Sequence, residues 1–186
     1  MTWSQLREMA PLVDIYNHSV NHLHLVNKDA QSVEDEISFA QERIMSEMNT
    51  NDKFFAYPYG EFDELTYSYV KSKGYIAFGQ QSGVASQTSD FLNIPRFSMS
   101  GPYAQMNSFS LKVKTVEMPI ESSDPKSLII SDDFMPVLNL NFSRQLTSYE
   151  KNNFSCYVSG QEKAKLNWDG LQSVSVISNE SLAIGR

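Results

Sequence analysis

The sequence predicts an α/β domain followed by a smaller β-rich domain. Residues 12–78 alternate between short apolar, β-prone segments and longer segments with helical periodicity. The order strand, helix, strand, helix, strand is typical of βαβ units with a parallel sheet. Beyond about Lys114 the helical periodicity disappears, and short segments separated by polar turns follow. We therefore predict one domain over residues 1–114 and a second over residues 115–186.

The first predicted elements lead to a histidine. Thr2 and Gln5 have the spacing of a capping box, which predicts a short N-terminal helix that ends at Pro11. Residues 12–16 are mostly apolar and β-prone, and they predict a buried strand. This strand runs directly into His18, so the histidine is expected at a C-terminal strand end.

A long amphipathic helix is predicted next. Ser32 is expected to be its N-cap. Its apolar residues recur at spacings of three and four, which predicts one face packed on the core: Val33, Ile37, Ala40, Ile44 and Met48.

The second predicted strand ends in a turn. Residues 54–57 predict this strand, and Pro58-Tyr59-Gly60 closes it. Residues 61–73 predict another helix with Gly74 as its C-terminal cap, and residues 75–78 predict a third strand. Because functional loops gather at the C-terminal ends of parallel strands, the turn and His18 are expected at the same edge of the sheet.

The C-terminal third predicts a small antiparallel sheet or sandwich. Residues 121–125 resemble a linker, with Pro125 at its end. Four short segments with partial alternation follow and are expected to be strands: residues 137–142, 154–158, 164–168 and 174–177.

Composition excludes several classes of protein. Fifteen Lys and Arg against twenty-two Asp and Glu give a formal charge of -7, which repels nucleic acids and anionic membrane surfaces. No apolar run reaches the roughly 18 residues that a membrane helix needs. The first residues lack a basic region followed by an apolar run, so we expect no export signal in them. Cys156 is the single cysteine, so neither an internal disulfide nor a thiolate-rich zinc cluster can form. A metal site would have to use His, Asp or Glu.

The three histidines lie within seven positions of one another. His18 and His22 are four residues apart, so both rings can converge on one ion if the loop curls into a helical turn. Neutral imidazole is a common zinc ligand. Two alternatives stay open. The pair His18 and His22 can arise by chance without a metal role, and His24 can be an ordinary loop residue.

Several segments together resemble one enzyme family. They are residues 2–9, 12–15, 18–22, 55–60, 73–79 and 93–97, which read TWSQLREM, LVDI, HSVNH, FAYPYG, KGYIAFG and NIPRF. In this order and spacing they resemble the polysaccharide deacetylases of the NodB homology type, carbohydrate esterase family 4, over roughly residues 2–112. The resemblance implies a partial, distorted (β/α) barrel and the hydrolysis of N-acetyl groups on a polysaccharide.

The resemblance also implies roles for particular residues. His18 and His22 would bind Zn²⁺ or another divalent metal, and the backbone N–H of Tyr59 would stabilise the oxyanion of the reaction. Tyr57, Pro58 and Tyr59 would contact the substrate. Core packing explains the aromatic rings of this segment equally well, and Pro58-Tyr59-Gly60 taken alone is an ordinary turn.

The sequence departs from the family pattern in three places, one of which is Ala56, where an arginine often precedes the proline turn. The family carries an Asp-Asp pair on an early strand, as general base and metal ligand, and no such pair precedes His18. No histidine follows His24, so the late histidine motif is missing and no general acid is identified. We therefore expect that an upstream segment or a partner chain completes the barrel, or that the domain closes in a different way, and that the isolated chain can be inactive. The resemblance suggests a periplasmic or extracellular location.

Two other functions stay open beside the hydrolase. One is a non-catalytic carbohydrate-binding or scaffold protein derived from a deacetylase, in which the groove persists without the base. The other is an unrelated α/β domain with an accidental histidine cluster.

Overall fold

The structure is a computed structural model that describes residues 1–126, 135–158 and 161–182. It has a mixed α/β fold. The chain divides into two compact units, Met1–Glu117 and Met118–Arg186. Among the described residues, no helix has both the length and the apolar character needed to cross a membrane.

Two helices begin the first unit. Helix α1 spans Trp3–Met9 and carries the predicted capping box of Thr2 and Gln5. Helix α2 spans Ala30–Met48, and its N-cap is Asp29, not the predicted Ser32. The Asp29 carboxylate accepts hydrogen bonds from both the N–H and the hydroxyl of Ser32, at 2.9 and 2.8 Å. A carboxylate that accepts two bonds is the better cap, so the helix starts earlier than predicted.

A small parallel sheet lies at the centre of the first unit. Strand β1, Phe54–Ala56, pairs in parallel with β2, Ile76–Phe78, with Phe55 opposite Ala77. Single parallel bridges extend this pair on both sides, from Asn17 to Phe55 and from Phe78 to Ile94. Four chain segments thus run in the same direction, where the sequence predicted three parallel strands.

The prediction of a buried strand over residues 12–16 is wrong. Leu12 is 87% exposed, and the backbone N–H groups of Leu12 and Val13 both donate to the Met9 carbonyl. These residues therefore belong to the turn that ends α1. Pairing with the sheet begins only at Asn17, whose N–H donates to Phe54 and whose carbonyl accepts from Ala56.

A short helix connects the two strands. Residues Pro58–Gly60 form a 3-10 turn directly after β1, and helix α3 spans Glu64–Ser72. The helix starts three residues later than predicted because Asp63 caps it, accepting a bond from the Thr66 N–H at 2.9 Å. Gly74 follows the helix with φ +73°, the left-handed conformation expected of a glycine that ends a helix.

The core of the first unit lies between the sheet and the helices α2 and α3. Of the predicted inner face of α2, Val33, Ile37 and Ile44 are buried, whereas Ala40 and Met48 are half-buried. The buried residues of this core come from α2, α3, the sheet and the segments next to them. They are Leu25, Val33, Ile37, Phe55, Tyr57, Val70, Tyr75 and Ala77. A second 3-10 turn, Gly101–Ala104, and helix α4, Met106–Lys112, follow without having been predicted.

The second unit contains a four-stranded antiparallel sheet. Its strands are β3, Ile120–Asp124, β4, Val137–Phe142, β5, Lys165–Asp169, and β6, Ser173–Ile177, in the order β3-β4-β6-β5. Helix α5, Ser148–Asn153, lies between β4 and β5 in the chain. The second unit has a hydrophobic core of its own, formed by Leu140, Phe142, Leu146, Ala164, Val174 and Val176.

Three predictions for this unit need correction. Residues 121–125, predicted as a linker, largely form β3, because they pair with β4. Residues 154–158, predicted as a strand, make only the bridge between Tyr157 and Lys163. Helix α5 was not predicted, although Thr147 and Glu150 form a capping box that is visible in the sequence. The second sheet that a sandwich requires is not among the described residues.

Candidate metal and substrate site

The candidate site lies at the C-terminal edge of the parallel sheet. His18 follows the bridging residue Asn17, and Pro58–Gly60 follow β1 directly. Because Asn17 and Phe55 are paired in parallel, the loops after them leave the sheet side by side. The sheet therefore brings together two segments that are about forty residues apart in the sequence.

Asn17 anchors the histidine loop to α2. Its side chain is buried, and its Nδ2 donates to the Ile37 carbonyl at 2.9 Å. Its Oδ1 accepts from the N–H of Ser19 at 2.9 Å. A buried amide with both ends hydrogen-bonded is costly to displace, so the start of the loop has a fixed position.

The loop between the histidines is a turn with two left-handed residues, not the predicted helical turn. Ser19 has φ 64° and His22 has φ 55°. The Ser19 hydroxyl accepts from the His22 N–H at 3.0 Å, which closes the turn. The Asn21 N–H and side-chain amide donate to the buried carboxylate of Glu36 on α2, at 2.9 and 2.6 Å.

The two predicted metal ligands are close together. The ring centroids of His18 and His22 are 4.7 Å apart, with the rings inclined by 74°. Two imidazoles on one tetrahedral zinc ion would have centroids roughly 5 Å apart, given Zn–N bonds of about 2.1 Å. The Nδ1 of His18 lies 2.7 Å from the Ala56 carbonyl oxygen. A carbonyl can only accept, so this nitrogen carries the proton and Nε2 is left as a ligand.

The turn after β1 has a strained backbone at Tyr59. Tyr59 has φ 58° and ψ 1°, and Gly60 has φ 71°. The N–H groups of Gly60 and Glu61 close the turn by donating to Tyr57 and Pro58. Within the part of the chain that the structure describes, the N–H of Tyr59 itself donates to no acceptor. Its side chain is 45% exposed.

The rings of the site form a continuous series. His22 contacts Tyr59 at a centroid distance of 4.6 Å and a steep angle of 70°. His24 lies flat on Tyr59, with centroids 3.8 Å apart and planes inclined by 5°. The Nδ1 of His24 contacts the Glu61 carboxylate at 2.7 Å. His22 and His24 thus contact the Tyr59 ring, and His18 joins the series through His22.

Two of the predicted substrate-binding residues lie inside the protein. The ring of Tyr57 is fully buried and packs on Phe55 and Phe62, with centroid distances of 5.2 and 4.7 Å. Burial also raises the pKa of its hydroxyl. Pro58 is buried as well. The structure therefore places these two side chains as packing residues under the turn, and Tyr59 alone presents its ring at the surface.

His18 and His22 are the two candidate metal ligands that the described residues bring together. No group of three or more His, Cys, Asp or Glu side chains that could hold a metal occurs within residues 1–126, 135–158 and 161–182. His18 and His22 fit a divalent cation in donor type and in the separation of their rings. The hydrogen bond from His18 Nδ1 to the Ala56 carbonyl also leaves Nε2 of His18 available as a ligand. The two histidines fit as part of a ligand set, since zinc sites usually take three or four protein ligands.

Sequence reasoning missed the residues that hold the site in place. Asn17 and Glu36 fix the histidine loop, and Glu61 fixes His24. One signal was present for Glu36: it is a charged residue between Val33 and Ile37, within the apolar stripe of the predicted helix. Buried carboxylates need hydrogen-bonding partners, so such a position indicates a specific contact.

Residues 1–78 match the family model of the polysaccharide deacetylases. This part of the chain is a polysaccharide deacetylase domain of the NodB type. The match includes all three histidines and the Tyr59 turn. No curated protein is significantly similar to the chain in sequence.

Solved structures of deacetylases share the fold of this domain. The Streptococcus pyogenes deacetylase PplD, in complex with acetate, has a TM-score of 0.57 and 20% identity, over 62% of this chain and 51% of that one. A polysaccharide deacetylase from Bacillus cereus has a TM-score of 0.54 and 17% identity, over 61% of this chain and 37% of that one. The chain thus spans about half, or less, of these deacetylases. A separate partner chain, which we predicted as one way to complete the barrel, finds no support in these comparisons.

Proposed function

We propose that the deacetylase domain removes N-acetyl groups from a polysaccharide, with His18 and His22 as ligands of Zn²⁺ or another divalent cation. The observation that carries this proposal is the pair of imidazoles, 4.7 Å apart, beside the Tyr59 turn. We further infer that the four parallel segments are part of a distorted (β/α) barrel, consistent with the fold of the deacetylase structures.

The residues of the chain would act on the acetamide in two ways. Nε2 of His18 and a ring nitrogen of His22 would hold the cation at the sheet edge. A bound divalent cation supplies polarisation of the acetamide carbonyl and a water of lowered pKa. The N–H of Tyr59 would then donate to the carbonyl oxygen as negative charge develops there, since the turn leaves this donor without another acceptor.

Tyr59 would be the substrate-contacting residue of its segment. Tyr57 and Pro58, which the sequence also indicated, would serve the site indirectly by supporting the turn from below. The hydrogen bonds that close the turn use the N–H groups of Gly60 and Glu61 and not that of Tyr59. A donor prepositioned in this way costs little to reorganise during the reaction.

Metal content tests the ligand assignment. We expect the purified full-length chain to bind zinc, and we expect His18→Ala and His22→Ala each to lower its zinc content by at least about tenfold, since each removes a direct ligand. His24→Ala is the matched control and should keep its zinc, because Nδ1 of His24 is engaged by Glu61. Zinc content is measured by atomic emission after dialysis. Unchanged zinc in the first two variants would remove the proposal.

Acetate release distinguishes the enzyme from a carbohydrate-binding protein. A zinc-loaded chain that releases acetate from N-acetylglucosamine oligomers supports the deacetylase. Binding of the oligomers without acetate release favours the non-catalytic alternative, for which the incomplete ligand set within the described residues gives a physical reason.

A further inference from the structure

His24 and Tyr59 form a stacked pair of rings beside the candidate metal ligands. A flat ring has two faces, and His24 covers one face of Tyr59 at 3.8 Å with nearly parallel planes. His22 contacts Tyr59 from a steep angle at 4.6 Å. His24 therefore covers one face of the Tyr59 ring, while the Tyr59 side chain as a whole is 45% exposed.

The His24 ring is itself exposed at the surface. Its inner face lies on Tyr59 and its Nδ1 is held by the Glu61 carboxylate, yet the side chain is 57% exposed. The exposed part must then be the outer face of the ring and the edge remote from Glu61. An exposed ring held at its inner face and one nitrogen loses little conformational entropy when a ligand binds to its outer face.

We propose that a pyranose ring of the polysaccharide stacks on the outer face of His24. This pyranose would be the neighbour of the sugar unit that loses its acetyl group. Flat rings bind sugars through their faces, and hydrogen-bonding groups at the ring edge orient the sugar. The inference rests on the proposed function in one respect, because it takes an N-acetylated sugar chain as the ligand. It assigns His24 to substrate binding and not to the metal.

Equilibrium binding without turnover tests the platform. The full-length chain is titrated calorimetrically with the N-acetylglucosamine tetramer in the presence of a chelator, which prevents metal-dependent hydrolysis. We expect His24→Ala to weaken binding roughly three- to tenfold, the range expected for one stacking contact. His24→Phe should bind within about twofold of the wild type, because it keeps a flat ring on Tyr59.

The chain offers a matched control for an exposed ring. Phe39 is 58% exposed and lies on α2, away from the buried side of that helix. Phe39→Ala should leave tetramer binding unchanged. Thermal unfolding of each variant checks that the fold is kept, and the exposure of both side chains makes large losses of stability unexpected.

Three results would overturn the inference: wild-type affinity in His24→Ala, a loss in His24→Phe as large as that in His24→Ala, or no binding of the tetramer by the wild type at millimolar concentration. The experiments distinguish failure of the metal assignment from failure of the stacking inference. If zinc does not depend on His18 and His22 but tetramer binding depends on a ring at position 24, the metal assignment is wrong and the platform stands.

Discussion

Single residues with left-handed backbone shape both loops of the candidate site. Ser19 and His22 turn the histidine loop, and Tyr59 and Gly60 turn the loop after β1. A left-handed backbone costs a residue with a side chain about 1 kcal/mol or more. Three of these four residues are not glycine, so contacts such as the bond from the His22 N–H to Ser19 must hold them in place. Strain of this kind is often found at functional sites.

Gly60 allows the turn to approach the neighbouring segment closely. A Cβ added to Gly60 would lie 2.4 Å from the Cβ of Gln80 and 2.8 Å from its backbone nitrogen. Gly74 has almost the same backbone, with φ +73° against +71°, but a Cβ there meets nothing within 4 Å. We predict that Gly74→Ala costs about 1 kcal/mol of unfolding free energy and Gly60→Ala about 1 to 3 kcal/mol more.

Urea unfolding of the two glycine variants measures this difference directly. The strain of the left-handed backbone is common to both positions, so it cancels in the comparison. What is left is the cost of the contact with Gln80. Equal destabilisation of the two variants would show that the turn can move away from Gln80 freely, and it would weaken the case for a fixed Tyr59 N–H.

At the level of whole elements, helix α2 is the support of the histidine loop. Its buried residues pack on the sheet, and it supplies the acceptors for the loop: the Ile37 carbonyl for Asn17 and the Glu36 carboxylate for Asn21. The position of both histidines therefore depends on the stability of this helix. Its amphipathic pattern was readable in the sequence, whereas its cap was predicted three residues too late and the partners of its polar contacts were not predicted.

The Asp29 cap makes the stability of α2 depend on pH. Hydrogen bonds from the backbone and side chain of Ser32 lower the pKa of Asp29 below its ordinary 3.8. A lowered pKa in the folded state stabilises the fold above pH 3.8, and this stabilisation is lost as the pH falls through the folded pKa.

We predict that Asp29→Ala lowers the thermal midpoint of the chain at pH 7 and that Asp29→Asn lowers it less, because asparagine also caps. Below pH 3.8 the advantage of the wild type over Asp29→Ala should shrink, while that of Asp29→Asn should not change. Circular dichroism melts from pH 7 to pH 2.5 check this. A wild-type advantage that is constant over this range would contradict the assigned role of the carboxylate.

The molecule as a whole has two separate hydrophobic cores. Val33 is fully buried in the first unit and Val174 is nearly so in the second. Each unit also contains one of the two tryptophans, Trp3 and Trp168. The fluorescence of each tryptophan can therefore report the unfolding of its own unit.

We predict that Val33→Ala and Val174→Ala each cost roughly 2 kcal/mol, through lost apolar burial and the cavity left behind. The loss should be seen mainly by the tryptophan of the same unit. Trp168→Phe and Trp3→Phe serve as the single-tryptophan backgrounds for these measurements. If Val174→Ala shifts the Trp3 transition as much as the Trp168 transition, the two units unfold as one.

The sequence by itself determined the features that depend on near neighbours. Helical periodicity located α2 and α3, the capping box of Thr2 located α1, and apolar segments located β1, β2 and β4. Its ordered motifs also indicated the deacetylase family, which residues 1–78 match. These signals are local, because they arise from contacts and hydrogen bonds between residues a few positions apart.

The tertiary structure alone decided how distant residues meet. Parallel pairing of Asn17 with Phe55 placed the histidine loop beside the Tyr59 turn. The rings of Tyr59 and His24 stack on each other as a result. Residues 12–16 are as apolar as a strand, yet Met9 holds their start in a turn. Tyr57 and Tyr59 have the same chemistry and are two residues apart, but one is in the core and the other at the surface. Burial and convergence depend on the segments that the fold packs together, and no local pattern contains that information.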